Sequence, residues 1–482
     1  MRRFPPFQDR SNFHPQLLAL LLLLLLAPLG AFVAIWLVRF PWSGLEGLLL
    51  VALALLCTVP LTFRFLLSKP DIFEPIYMMA LTVLLAFVLS PVLMLRGGFV
   101  GVQSIGLHLR SELAAVTLMA IVGLVGFYLG YGLIRRRAGR QAASGSSAPA
   151  HDDFDSSLVF RLSVLALALT VALFLLWSRI SEVPLSYLNV FLESVHYTSA
   201  TRVASRSVYY LWMFRRSWPL LILLAWQFAP NREWKVLLAL AWLANLIVYV
   251  LAANRGTLFS LIGATLVVAY LRRRKQPSLP MMALLVAVLV LGAGFLINVR
   301  GAYVEELDLV GILETSAEDL TDRGAATGAM LISRVFPEYT AFLGPRIWND
   351  LIIAPIPRLL WPDKPTGPEF DLRSTVSAYL SGYHAPGLVG VYYAGFGLAG
   401  PFLIMFLYGA VSAAIYSRWA RSPDHPFRQI MLAGWLSMIW IIFHRGLASF
   451  WAVQAFYYLG PVLLVWYLAL RGSRRRQGVD LG

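Results

Sequence analysis

Stretches of about 20 apolar residues follow one another along this chain, separated by short basic clusters, and each is long enough to cross the roughly 30 Å hydrocarbon core of a bilayer as a helix. In that solvent every backbone donor and acceptor must be satisfied within the protein, so a chain of this kind folds as an all-α polytopic membrane bundle. Of its 482 residues, 59% are hydrophobic and 13% charged, whereas soluble domains carry about 25% charge. About 12 segments have spanning character, near 17–38, 45–66, 75–95, 113–134, 158–177, 208–229, 236–253, 257–271, 281–299, 388–416, 430–443 and 447–470. The first follows Met1-Arg2-Arg3 and exceeds the roughly 7–15-residue apolar core of a secretory signal, so it reads as an uncleaved span. Cys57 is the only cysteine, which excludes an internal disulfide and a cysteine-based metal site.

A net charge of +15 in a soluble protein would point to nucleic acid. Here the basic residues cluster between spans and report topology instead. Arg135-Arg136-Arg137 with Arg140, Arg272-Arg273-Arg274-Lys275, Arg418 with Arg421 and Arg428, and Arg471 with Arg474-Arg475-Arg476 fall on one side of a twelve-span bundle. By the positive-inside rule that side is cytoplasmic, together with both termini. The expected organisation is residues 1–138 as spans one to four, 139–157 as a flexible cytoplasmic linker and 158–299 as spans five to nine, with an external loop at 178–207. A large external loop domain at 300–387, spans ten to twelve at 388–470 and a basic cytoplasmic tail at 471–482 complete it.

Function should lie outside, where the ionisable residues gather. Leu185, Leu188, Phe191 and Leu192 in the first external loop have the spacing of an interfacial helix. In the second, Glu305, Glu306, Asp308, Glu314, Glu318, Asp319 and Asp322 read as the wet face of a helix. Further on, prolines at 355, 357, 362, 365 and 368 forbid an ordinary helix, and Arg358, Asp363, Lys364, Glu369, Asp371, Arg373 and His384 crowd the same stretch. Arg96-Gly97, Arg255-Gly256, Arg300-Gly301 and Arg445-Gly446 each stand at the expected external end of a span. One explanation is a helix C-terminus, with Gly left-handed and Arg answering the negative end of the macrodipole, as Arg471-Gly472 would do inside. The other is a grip on a diphosphate, which guanidinium groups bind bidentately, with Asn254 and His444 widening the patch around Arg255 and Arg445. Arg215-Arg216 falls within an apolar run, so either that helix starts later or the pair lines a polar cavity.

The chain has no Gly-x-x-x-x-Gly-Lys and no His-Glu-x-x-His sequence, and its external loops lack an Asp-x-Asp pair for a metal-held nucleotide-sugar donor. A transferase acting there needs a donor already activated and already outside, with no metal and no cofactor.

The tract Ile356-Pro357-Arg358-Leu359-Leu360-Trp361-Pro362-Asp363-Lys364-Pro365, with Tyr392-Tyr393-Ala394-Gly395-Phe396-Gly397-Leu398-Ala399-Gly400 and Asn254-Arg255-Gly256, resembles bacterial oligosaccharide repeat-unit polymerases of the Wzy (O-antigen polymerase) type. The related O-antigen ligases show a His, a small polar residue, nine residues and then Gly-x-x-Gly/Thr/Tyr. Here His384, Ala385 and Gly395 keep the spacing, while Ala385 and Leu398 depart from the pattern. The resemblance implies a GT-C-like bundle in the bacterial inner membrane with its active site facing the periplasm. It implies a glycosyltransferase joining undecaprenyl-diphosphate-linked oligosaccharide donor and acceptor, with a chain-length co-polymerase as a candidate partner. An inverting displacement by the acceptor hydroxyl would use His384 as general base, with Glu338 or Asp363 behind it, and Arg255, Arg300, Arg358, Arg445 and His444 on the diphosphate. A ligase or other lipid-linked glycan transferase, and a polysaccharide transporter or flippase, are the alternatives.

Overall fold

The computed structural model describes residues 44–67, 71, 73–96, 100–102, 107–143, 155–180, 211, 213–251, 255–273, 324–353, 356, 360, 361, 363, 368–380, 385–446 and 454–476. They form an almost wholly helical bundle: α1 (Gly44–Leu67), α2 (Pro75–Arg96, with a π turn at Leu85–Leu89), α3 (Leu113–Ala143), α4 (Ser156–Ile180), α5 (Trp218–Phe228), α6 (Arg232–Leu251), α7 (Arg255–Arg273), α8 (Ala325–Val335), α9 (Asn349–Ile353), α10 (Pro368–Leu380), α11 (Gly387–Phe396), α12 (Ala399–Arg421), α13 (Pro426–Arg445) and α14 (Gly460–Arg476). A two-stranded antiparallel ribbon, β1 (Gly101–Val102) with β2 (Leu107–His108), follows α2.

Among the described residues, six helices are long and apolar enough to cross a membrane: Pro75–Arg96, Arg110–Arg140, Ser156–Ile180, Ala399–Arg421, Pro426–Arg445 and Ala455–Ser473. The expected spans at 17–38 and 281–299 lie outside the described residues. Two expected spans differ in form. That at 208–229 is interrupted by a 3-10 turn over Phe214–Ser217, with α-helix at Leu211 and Met213 before it and from Trp218 after it. That at 388–416 is two helices, because the chain breaks at Gly397, whose φ of +60° favours a residue without a Cβ. There the chain doubles back so tightly that a Cβ on Gly400 would stand 1.8 Å from the Tyr392 carbonyl oxygen. Hydropathy runs unbroken through the joint and so conceals it.

The central contact joins α3 to α12, which run side by side in the same sense. A Cβ on Gly126 would meet the Phe402 carbonyl oxygen at 2.5 Å, and one on Gly130 the Phe406 oxygen at 2.0 Å. Lipid tails are as apolar as leucine, so close backbone approach over small residues, rather than a hydrophobic difference, holds such helices together.

The two ends of α3 mark the two ends of the bundle. At the basic end, Arg135 lies 3.5 Å from the buried Glu74 carboxylate and 4.9 Å above the Tyr416 ring. Tyr131 donates its hydroxyl to Glu74 at 2.6 Å, and Tyr416 donates to Asp71. At the other end, Arg334 on α8 pairs with Glu112 at 2.6 Å. From residue 112 to 135 an α-helix rises about 34 Å, close to the thickness of a hydrocarbon core.

The described part of 300–387 does not stand apart from the helices. Residues 325–332 of α8 are buried in the main core, and Gly328 packs so closely on Ala385 that a Cβ would meet its carbonyl oxygen at 2.4 Å. The acidic face expected at 305–322 and the interfacial helix at 185–192 lie outside the described residues. At the C-terminus, Arg471-Gly472 does not close a helix: α14 continues through it to Arg476, so the first part of the expected tail is helical.

Candidate functional site

Helix α7 runs toward the basic end, where Tyr270 faces Phe73 with ring centroids 6.3 Å apart. Helix α13 runs the other way and brings Phe443 against Phe87 at 5.7 Å. Midway, Gly263 faces Ser437, eight residues from Arg255 in one direction and eight from Arg445 in the other. The antiparallel pair therefore puts the start of α7 and the end of α13 at the same level, away from the basic clusters.

At that end lies a buried polar centre that no sequence motif announces. Arg215, in the 3-10 turn before α5, is only 1% exposed. Its guanidinium carbon sits 5.9 Å from the centre of the Tyr249 ring, and Tyr249 donates its hydroxyl to the Arg215 carbonyl oxygen at 3.0 Å. Arg216 is its neighbour in sequence, and both guanidinium groups act on Tyr249. Phe214 packs edge-on to Tyr457 with centroids 4.8 Å apart, which holds the turn against the π turn at Gln454–Leu459. Asn245, on α6 one turn before Tyr249, is 3% exposed, and both polar atoms of its carboxamide lack a hydrogen bond of good geometry. Deeper in, the Ser437 and Tyr458 hydroxyls are 2.9 Å apart, with Ser260 beside Tyr458.

A guanidinium remains charged at any relevant pH, and burying it inside a membrane bundle is costly unless a protein partner or a ligand answers the charge. A second arginine beside it raises that cost and makes the centre attractive to a multivalent anion. Arg215-Arg216 falls in a 3-10 turn within a helical stretch, with Leu211 and Met213 helical before it, and Arg215 is enclosed within the bundle.

The dipole explanation divides the Arg-Gly pairs. Arg445 ends α13, and Gly446 follows it in the left-handed conformation, φ +72°, donating its N–H to the Ile442 carbonyl at 2.9 Å. Arg255 is different. It opens α7 instead of closing the preceding span, so it stands at the positive end of a helix, where the macrodipole disfavours a cation. A helix C-cap therefore does not account for it. His444 is half-buried beside the exposed Arg445.

Glu338 is exposed in the turn after α8, and Asp363 is exposed in a turn of the proline-rich tract. His384, Arg300 and Arg358 lie outside the described residues, so no geometry links Glu338 or Asp363 to that histidine. Among the described residues, no three His, Cys, Asp or Glu side chains gather as a metal-ion site. Sequence reasoning missed Asn245, Tyr249, Ser260, Ser437 and Tyr458. A polar residue such as Asn245 within the apolar run LLALAWLANLIVYVL is the signal that would have found the first of them.

No protein-family model, curated protein or solved structure matches the chain, so what the site does must be read from its own chemistry.

Proposed function

We propose that this protein is a polysaccharide polymerase of the bacterial inner membrane. In this reading a glycan passes from an undecaprenyl-diphosphate-linked donor to the terminal sugar of another lipid-linked repeat, at the periplasmic face of a GT-C-like bundle of about 12 spans. The observation that carries it is Arg215, enclosed in the membrane bundle beside Arg216, near the level where Arg255 opens α7 and His444 and Arg445 end α13. Several cations at one end of a membrane bundle suit a substrate whose two phosphates stand at the membrane surface while its lipid stays in the bilayer.

In the reaction, the acceptor hydroxyl oxygen bonds to the anomeric carbon as that carbon's bond to the diphosphate oxygen breaks. The electron pair leaves with the lipid diphosphate, and the hydroxyl proton passes to His384, supported by Glu338 or Asp363. Negative charge grows on the departing phosphate, and guanidinium groups already aimed there stabilise it without a metal or cofactor. Removing one such donor costs about 3–4 kcal/mol of transition-state stabilisation, a few hundredfold in rate.

The test is deletion of the gene in its native host, with complementation by wild type, Arg255→Ala and Arg445→Ala. Loss of the long polysaccharide ladder with a single-repeat product remaining, at unchanged protein level, is the expected result for the deletion and both variants. Accumulation of full-length lipid-linked polymer in the deletion would make the protein a ligase. Wild-type chain lengths in both variants would remove these arginines from the diphosphate.

A further inference from the structure

The turn after α8 presents a surface that the arginine-rich centre does not use. Tyr339, 48% exposed, and Tyr379 at the end of α10, 50% exposed, bring their rings within 5.4 Å at an interplanar angle of 33°. Their backbones are anchored. Tyr339 donates its N–H to the Val335 carbonyl at 2.9 Å, while Leu372 and Val376 are buried in the core beneath α10. Beside them are exposed Glu338 and, within its field, Arg334, already fixed by Glu112.

Glu112 stands about 34 Å along α3 from the basic end, so the tyrosine pair lies at the outer mouth of the bundle. Tyrosines are common at membrane surfaces, where their hydroxyl tips reach toward headgroups and water. This pair is arranged differently. The Tyr379 hydroxyl is directed at the Tyr339 carbonyl oxygen, 3.4 Å away, so this tip turns back onto the protein while half of the residue stays exposed.

We propose that the Tyr339–Tyr379 face, rimmed by Glu338 and Arg334, is a subsite that holds a sugar ring of the growing glycan. A pyranose has one face of C–H groups, which packs on an aromatic ring, and an edge of hydroxyls, which a carboxylate and a guanidinium hydrogen-bond from the side. The subsite rests on the polymerase reading, since that reading brings a glycan to this mouth. It adds a hold on the sugars that is separate from the hold on the diphosphate.

The test measures binding of lipid-free oligosaccharide, released by mild acid from the host's surface polysaccharide, to the full chain in nanodiscs. Tyr379→Ala should weaken binding about tenfold, the size expected for one lost aromatic contact. Tyr379→Phe, which keeps the ring, should remain within about twofold. Equal binding by wild type and Tyr379→Ala overturns the subsite, whether or not the wild type polymerises. Loss of binding in Tyr379→Ala together with absence of polymerisation by the wild type keeps the subsite and discards the polymerase. No binding by wild type, with bromine-labelled lipids quenching tyrosine fluorescence in a Tyr379-dependent way, assigns the pair to the bilayer surface and also overturns the subsite.

Discussion

Among the described residues, two polar centres in this bundle are built on opposite plans. At the basic end, Glu74 takes both Arg135 and the Tyr131 hydroxyl, while Asp71 takes Tyr416, whose ring lies under Arg135. Each anion there meets a cation or a hydroxyl, and the network ties the start of α2 to α3 and α12. At the other end, guanidinium groups gather against a tyrosine ring, and the Asn245 carboxamide is enclosed without a well-formed hydrogen bond. Carboxylates met by a guanidinium and by hydroxyls form a clamp, because removing either partner strands the other. Neighbouring guanidinium groups in a low dielectric offer an anionic ligand several charged donors at once, which is the character of a binding site.

The contrast yields tests of decreasing size. Arg215→Ala should have the largest effect, a loss of polymerisation of a few hundredfold or more, about 3–4 kcal/mol in the transition state. Arg215→Lys should recover part of it, since a point charge replaces a planar fork. Turnover with isolated lipid-linked repeats checks both, and wild-type turnover in Arg215→Ala would erase the distinction between the two centres. Glu74→Gln belongs to the clamp. It should lower folding stability by about 2 kcal/mol, as expected for hydrogen bonds to a charged group, without changing turnover per folded molecule. Thermal unfolding in detergent, set beside specific activity, reads the two quantities separately.

Asn245→Leu gives the smallest effect and the sharpest one. An enclosed amide without a well-formed hydrogen bond costs stability, so an apolar residue of similar size should be neutral or stabilising by about 1 kcal/mol. Polymerisation should nevertheless fall. Destabilisation comparable to that of Glu74→Gln would mean that Asn245 serves the fold as part of a second clamp.

Much of the helical layout was legible beforehand. The expected segments at 75–95, 158–177 and 430–443 recur as helices with ends close to those read from hydropathy, while that at 113–134 continues to Ala143, into the stretch expected as a linker. The broken span at 388–416 was not legible, because Phe396, Leu398 and Ala399 are as apolar as the helices on either side. Nor was the burial of α8, since Ala325–Val335 is too short to register as a span and lies inside what reads as an external loop. Within the candidate site, the pairing of Arg255 with Arg445 at one level was expected, but the direction of Arg255 was not. Its place at a helix start depends on where α7 nucleates, and an Arg-Gly dipeptide suits either end.

By itself the sequence determined the solvent and the helical class, because these follow from composition and from apolar runs measured against a bilayer's thickness. Only the tertiary structure decided which polar residues meet. Arg215, Asn245, Tyr249, Ser437 and Tyr458 are spread over more than half of the chain and share no spacing. Their juxtaposition comes from helices packed antiparallel and from a 3-10 turn held between them, and a contact between distant segments leaves no periodic trace in any one of them.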